Sequence, residues 1–161
     1  MPAFAGINHL ALTVRDLDVS TRFYRDVLGF VVVLDTGPAR VCIHRATGFT
    51  IALIRPEGGT GERFSALRTG LDHLGLAAAS REELVVWEEV LQAAGVPCSP
   101  IQDMPLGHHL NFVDPDGIAL ELQAPNALYL AALAELRTSP MSDDEVRARA
   151  AQLLEAAAAS S

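Results

Sequence analysis

The sequence predicts an α+β fold made of two βαβββ modules followed by C-terminal helices, and a repeat within the chain leads to this prediction. The stretches INHLALTVRDLDVSTRFYRDVLGF and LDHLGLAAASREELVVWEEVLQAAGVP both run strand, turn, helix, glycine. Further along, TIALIRP and GIALELQAP end the two halves with similar apolar strands. This order predicts one supersecondary unit that is present twice.

The repeat divides the chain into four segments. We expect a first module at 5–56, a linker at 57–70, a second module at 71–125 and a C-terminal helical extension at 126–161. The linker sequence EGGTGERFSALRTG has the glycine-rich composition of a loop. In the extension, Ser142 and Glu145 have the spacing of a capping box, which predicts that a helix begins there.

Apolar periodicity predicts one helix in each module. Val19, Phe23 and Val27 follow one another at intervals of four and form an apolar stripe, and Ser80 with Glu83 has capping-box spacing before the second helix. Apolar segments of strand length lie at 31–35, 40–45, 49–54, 109–113 and 117–123. We therefore expect each helix to pack one face on a sheet.

Composition excludes several classes of partner. The net charge is −8, and every cationic side chain apart from histidine is an arginine, scattered along the chain, so nucleic acid is not an expected partner. The sequence has no apolar run of the roughly 20 residues that a membrane-spanning helix needs, and its start does not resemble a signal peptide. We expect a cytoplasmic protein that makes no membrane contact.

Three potential metal ligands occur at matching positions of predicted strands. Alternate residues of a strand share a face, so His9 lies with Thr13, His73 lies with Gly75, and Glu121 lies with small neighbours, while leucines point the other way. Small neighbours leave room for a bound ion. The pattern predicts a metal site formed by His9, His73 and Glu121.

The motifs INHLALTVRDL with FYRDVLGF, LDHLGL, and NFVDPDGIALEL resemble the vicinal oxygen chelate superfamily over about residues 5–125. This superfamily includes glyoxalase I, extradiol dioxygenases and bleomycin resistance proteins. The resemblance implies that the two modules form a curved mixed sheet, a cup around a metal site. His9, His73 and Glu121 match the metal-binding positions of the family.

The position of a fourth ligand in glyoxalase I is apolar in this chain. Depending on the alignment, Ile54 or Ala52 corresponds to Glu121, and neither can bind a metal. Two histidines and one carboxylate leave coordination positions free, a pattern associated with ferrous oxygenases. We expect one divalent metal ion as cofactor, with Fe, Mn, Zn and Ni all compatible with these ligands.

The resemblance leaves three functions open. The first is a metal-dependent enzyme acting on a small-molecule substrate that chelates the metal through vicinal oxygens, and we favour a dioxygenase. The second is a lyase or isomerase of the glyoxalase or epimerase type, and the third is a binding protein that sequesters an antibiotic or metabolite. The resemblance and the C-terminal helices also favour a homodimer.

Four further residues are candidates for contact with the substrate. His109 and His44 are predicted acid–base groups, because histidine titrates near neutral pH without further tuning. Asn111 and Thr13 are predicted to bind the substrate, since their strand positions allow them to face the cup.

Overall fold

The computed structural model describes residue 4 and residues 6–159. Residue 5, where the predicted first module begins, and residues 160–161, where the predicted C-terminal extension ends, lie outside this range. The chain divides into two compact units, one formed by the residues up to 72 with 113–118, the other by 73–112 with the chain from 119 onward. Each unit contains one four-stranded sheet.

The first unit has the element order βαβββ. Its elements are β1 (Leu10–Thr13), α1 (Leu17–Asp26), β2 (Val31–Asp35), β3 (Ala39–Ile43) and β4 (Thr50–Ile54). The strands lie in the order β1-β4-β3-β2, with β1 parallel to β4 and the other pairs antiparallel. Ile51 and Leu53 of β4 are completely buried on the face that α1 covers.

Helix α1 is fixed at both ends by local chemistry. The side chain of Asp16 caps it by accepting hydrogen bonds from the backbone N–H groups of Asp18 and Val19. The chain leaves the helix through Gly29, whose φ of +74° lies in the left-handed region that favours glycine. The predicted helix is therefore confirmed together with its glycine stop.

The second unit repeats this order and adds two helices. Its elements are β5 (Leu74–Ala77), α2 (Arg81–Ala93), β6 (Gln102–Met104), β7 (Gly107–Val113), β8 (Ala119–Pro125), α3 (Ala127–Thr138) and α4 (Asp143–Ala159). The strands lie in the order β5-β8-β7-β6, with β5 parallel to β8. The α+β class, the two βαβββ modules and the C-terminal helices are thus confirmed.

Serine side chains cap two of the helices in the second unit, and at α4 the cap is a full capping box. Ser80 Oγ accepts a hydrogen bond from the Glu83 N–H at the start of α2. Ser142 and Glu145 bond reciprocally before α4, the Glu145 carboxylate accepting from Ser142 N at 2.7 Å. None of the helices among residues 6–159 is long and apolar enough to cross a membrane.

Two buried aspartates organise the turn between β7 and β8 within the first unit. Asp114 Oδ1 accepts hydrogen bonds from the N–H groups of Asp116 and Ile118, and Asp114 Oδ2 accepts one from the Tyr24 hydroxyl at 3.1 Å. Asp116 accepts from Ser20 Oγ at 3.0 Å and pairs with Arg15 at 2.7 Å. Helix α1 is thereby attached to the turn by polar contacts.

Burial sets the cost of breaking the contact between Tyr24 and Asp114. Burial, reinforced by the charge of Asp114, raises the pKa of Tyr24, so this hydroxyl keeps its proton and donates it. Burial also raises the pKa of Asp114, although three hydrogen bonds to its carboxylate oppose that shift. Loss of one donor leaves a buried carboxylate with fewer partners, which is costly.

We predict that Tyr24→Phe lowers the free energy of unfolding by about 1–3 kcal/mol, because the Asp114 carboxylate stays buried without this donor. Tyr129→Phe is the matched control: Tyr129 is half-buried in α3, and no hydrogen bond of its hydroxyl is found within the described range. Urea denaturation of both variants measures the difference. Equal destabilisation by the two substitutions would contradict the role of this hydrogen bond.

Candidate metal centre

Strand pairing brings two of the predicted ligands together in the second unit. The parallel register of β5 and β8 places Gly75 opposite Glu121, and His73 immediately precedes β5 on the same face as Gly75. His73 Nε2 lies 3.7 Å from Glu121 Oε2. The His73 side chain is 49% exposed and that of Glu121 is 14% exposed, so the pair is accessible from one side.

Gly75, which lies opposite Glu121, leaves room for the Glu121 carboxylate. A Cβ atom on Gly75 would lie 3.6 Å from Glu121 Oε2, at ordinary van der Waals distance, and a larger side chain would come closer. The opposite face of β8 is closed, because Leu120 and Leu122 are buried. The carboxylate of Glu121 therefore stands on the open face above a glycine.

A third side chain, His109 of β7, contacts the same carboxylate. His109 Nδ1 lies 2.5 Å from Glu121 Oε1, and the His109 side chain is 21% exposed. The neighbours Leu110 and Phe112 are buried, Leu110 on the opposite face of the sheet from His109. His109, Glu121 and His73 thus share one open face of the second sheet.

His108 points to the other face of the sheet. Its Nδ1 lies 2.7 Å from Asp103 Oδ1 in β6, and Asp103 also accepts a hydrogen bond from Arg81 Nε at 2.9 Å. The Arg81 guanidinium, with His108, holds the pKa of Asp103 below its ordinary value. This surface group links β6 and β7 to the start of α2.

The predicted substrate-binding residues lie in different units. Asn111 shares the open face of β7 with His109, and its backbone N–H donates to Ser99 Oγ at 3.1 Å. Thr13 lines a cavity of about 870 Å³ in the first unit, together with Arg15, Arg55 and the glycine-rich segment that follows. The predicted substrate-binding roles of both residues stay predictions.

His9 belongs to the first unit, just before β1, and its Nδ1 lies 2.9 Å from Asn8 Oδ1. Over the part of the chain that the structure describes, no three His, Cys, Asp or Glu side chains are grouped so as to hold a metal ion. The second unit supplies two of the three predicted ligands, and the complete triad of His9, His73 and Glu121 stays a prediction.

His44 follows β3 on the face of the first sheet that α1 covers. The register pairs buried Cys42 with buried Ile51, and His44 has the same parity as Cys42. Its ring lies 5.5 Å from that of Phe30, and its Nδ1 is 2.8 Å from Thr47 Oγ1. These contacts suit a structural role, and the predicted acid–base role of His44 stays a prediction.

The open face of the first sheet carries no carboxylate at the fourth-ligand position. Ala52 and Ile54 are both on this face, opposite Ala11 and Thr13 of β1. Either alignment considered from the sequence therefore gives an apolar residue on the open face.

The contact between His109 and Glu121 was not predicted from the sequence. GHHLNFV and ALELQAP are strands joined by a tight turn. The alternation of side chains along each strand places His109 and Glu121 on one face of these neighbouring strands. This signal indicates a shared face, but the side-chain contact depends on register and rotamer.

Comparisons with known proteins agree with this architecture. A family model described as the Glyoxalase/Bleomycin resistance protein/Dioxygenase superfamily matches residues 6–122. A crystal structure of a glyoxylase/bleomycin resistance protein/dioxygenase domain from Frankia sp. EAN1pec is 35% identical, with a TM-score of 0.71, and the match covers 77% of this chain and all of that chain. No curated protein matches the chain.

Two more distant structures share the fold. One is a variant of the fosfomycin resistance protein FosX from Listeria monocytogenes, in complex with Mn(II) and 1S,2S-dihydroxypropylphosphonic acid. It is 22% identical, has a TM-score of 0.63, and the match covers 79% of this chain and 95% of that chain. FosX from Mesorhizobium loti is 17% identical, with a TM-score of 0.62 and coverage of 80% and 99%. At these identities the similarity shows the fold alone.

We predict that Gly75→Val lowers the affinity for Mn²⁺ about tenfold or more, because the added methyl groups crowd the Glu121 carboxylate. Ala77→Val, on the same face of β5, is the matched control and should bind Mn²⁺ like the wild type. Isothermal titration with Mn²⁺ measures both affinities. Unchanged affinity in Gly75→Val would show that this clearance does not matter.

Proposed function

Because the chain belongs to the Glyoxalase/Bleomycin resistance protein/Dioxygenase superfamily, we propose that it is a divalent-metal-dependent enzyme for a small molecule with two neighbouring oxygens. The membership confirms the resemblance to the vicinal oxygen chelate superfamily. One observation carries the proposal: His73 Nε2 and Glu121 Oε2 lie 3.7 Å apart on one open face.

The chemistry of the donors fits a divalent ion. An imidazole nitrogen and a carboxylate oxygen suit Fe, Mn, Zn and Ni, and two bonds of about 2.1 Å can span the distance between these atoms. The related FosX crystal structure with Mn(II) shows that a protein of this fold binds such an ion. We propose that His73 and Glu121 hold the metal and that His9 completes the set.

The ligand in that FosX structure suggests a class of substrate. The name 1S,2S-dihydroxypropylphosphonic acid places hydroxyl groups on carbons 1 and 2. A substrate with neighbouring oxygens can occupy two coordination positions at once, and a three-residue protein ligand set leaves such positions free. We extend this binding mode to the present chain as part of the proposal.

The residues of this chain have distinct tasks in the proposed reaction. Glu121 contributes negative charge at the site, and its low exposure strengthens the attraction between this charge and a cation. When bound, the metal supplies Lewis-acid polarisation of the substrate oxygens and, if it is iron, a binding position for dioxygen. Asn111 and Thr13 are proposed to contact the substrate, and the ring of His109 is a proposed acid–base group.

Among the possible reactions we favour oxygen insertion by a dioxygenase. Two histidines and one carboxylate form the facial pattern of ferrous oxygenases. Glyoxalase-type proton transfer between two carboxylates is less suited to this chain, because Ala52 and Ile54 replace the second carboxylate. The homodimer and the cytoplasmic location stay predictions.

The experiment is anaerobic reconstitution with Fe²⁺, followed by addition of catechol and related compounds with neighbouring oxygens in air-saturated buffer. We expect dioxygen uptake with loss of substrate in the wild type, absent in Glu121→Ala and retained in His108→Ala, whose side chain is on the other face of the sheet. An oxygen electrode and product chromatography measure both quantities.

The other outcomes separate the alternative functions. Substrate loss without oxygen uptake would indicate a lyase or isomerase and would contradict the dioxygenase. Tight binding without turnover, unaffected by Glu121→Ala, would indicate a sequestering protein and would contradict the enzyme.

A further inference from the structure

The contact between His109 and Glu121 has the geometry of a hydrogen bond. Their separation of 2.5 Å is shorter than the 3.7 Å between His73 and Glu121. In a hydrogen bond that the carboxylate accepts, the shared hydrogen belongs to His109 Nδ1. That nitrogen then has no lone pair for a metal. Through Nδ1, His109 is therefore a hydrogen-bond partner of the carboxylate, and its Nε2 lone pair stays available for the proposed acid–base role.

The two oxygens of Glu121 are consequently different. Oε1 accepts the hydrogen bond from His109, and Oε2 is directed towards His73. From this arrangement we infer that His109 is a positioning residue, which holds Oε1 so that Oε2 is presented to the metal together with His73 Nε2. This inference rests on the proposed metal site and names a residue that tunes it.

Within the described part of the chain, the hydrogen bond from His109 to the Glu121 carboxylate has no substitute. Among the described residues, His109 is the one side chain within hydrogen-bond distance of the Glu121 carboxylate. Gly75 opposite it has no side chain that could restrict rotation of the carboxylate. Without His109 the carboxylate can rotate more freely and is more hydrated. Metal binding must then restrict the carboxylate again, and the entropic cost of doing so lowers the affinity.

His109 is itself held in place by the surrounding backbone. It pairs with Gln102 of β6, and the following residue, Leu110, is completely buried. The turn between β6 and β7 is attached to the start of α3, since Asn126 donates to the carbonyl groups of Pro105 and Leu106 at 2.9 and 3.1 Å. A residue with this support can fix the orientation of a neighbour.

Substitutions at this position can separate positioning from simple packing. His109→Asn keeps an N–H group close to the place of Nδ1, His109→Gln carries its amide one bond further out, and His109→Ala has no donor. The readout is the affinity for Mn²⁺ alone, by isothermal titration. We expect affinity 10- to 100-fold lower in His109→Ala, lower in His109→Gln, and close to the wild type in His109→Asn.

Two controls keep the result interpretable. His108→Ala, on the other face of β7, should bind Mn²⁺ like the wild type, and denaturation of the metal-free variants confirms folding. In the metal-free wild type, ¹⁵N NMR of the imidazoles should show His109 protonated at Nδ1. This second measurement does not require a bound metal.

Each contrary outcome has one meaning. Unchanged affinity in His109→Ala, affinity in His109→Asn as low as in His109→Ala, or a His109 protonated at Nε2 would overturn the positioning role and leave the proposed metal site intact. Failure of the wild type to bind Mn²⁺ would overturn the proposed metal site and the positioning role with it.

Discussion

Parallel pairing of β5 with β8 places Gly75 opposite Glu121, and the candidate metal centre depends on this register. A shift by one residue would turn Glu121 towards α2 and bring a leucine to the open face. Burial opposes such a shift, because Leu120 and Leu122 of β8 and Leu84 and Leu91 of α2 are all buried, and α2 lies against β8 inside the second unit. Moving a carboxylate into that layer would bury an unpaired charge, which is energetically costly. The apolar layer under the sheet thus determines which side chains stand above it.

The first unit depends in the same way on a few satisfied polar groups. Asp114 and Asp116 are almost completely buried, yet each accepts hydrogen bonds from the backbone and from α1. A turn sequence such as VDPDG is expected to be polar and exposed, and here its aspartates are internal attachment points. The apolar prediction for α1 was therefore incomplete: Val19 is 38% exposed, while the polar residue Ser20 is buried. Hydrophobic periodicity does not detect residues that are buried because their polar atoms find partners.

Sequence patterns were sufficient for the class of fold and for most elements. The repeat predicted two βαβββ modules, and the capping residues Ser80 and Ser142 predicted where α2 and α4 begin. Alternation placed His73 and Glu121 on one face, as the structure has them. It did not indicate the surroundings of His44, whose ring lies 5.5 Å from that of Phe30 on the face that α1 covers. The distance between two side chains on neighbouring strands depends on register and rotamers, which a single sequence does not specify.

The metal content of the protein purified without added metal tests the central claim most directly. We predict near-stoichiometric Fe, Mn, Zn or Ni in the wild type and loss of that metal in His73→Ala and in Glu121→Ala. His108→Ala should retain the metal, because His108 lies on the other face of β7 with Asp103. Absence of metal from the wild type even after anaerobic reconstitution, or its retention in both ligand variants, would contradict the account.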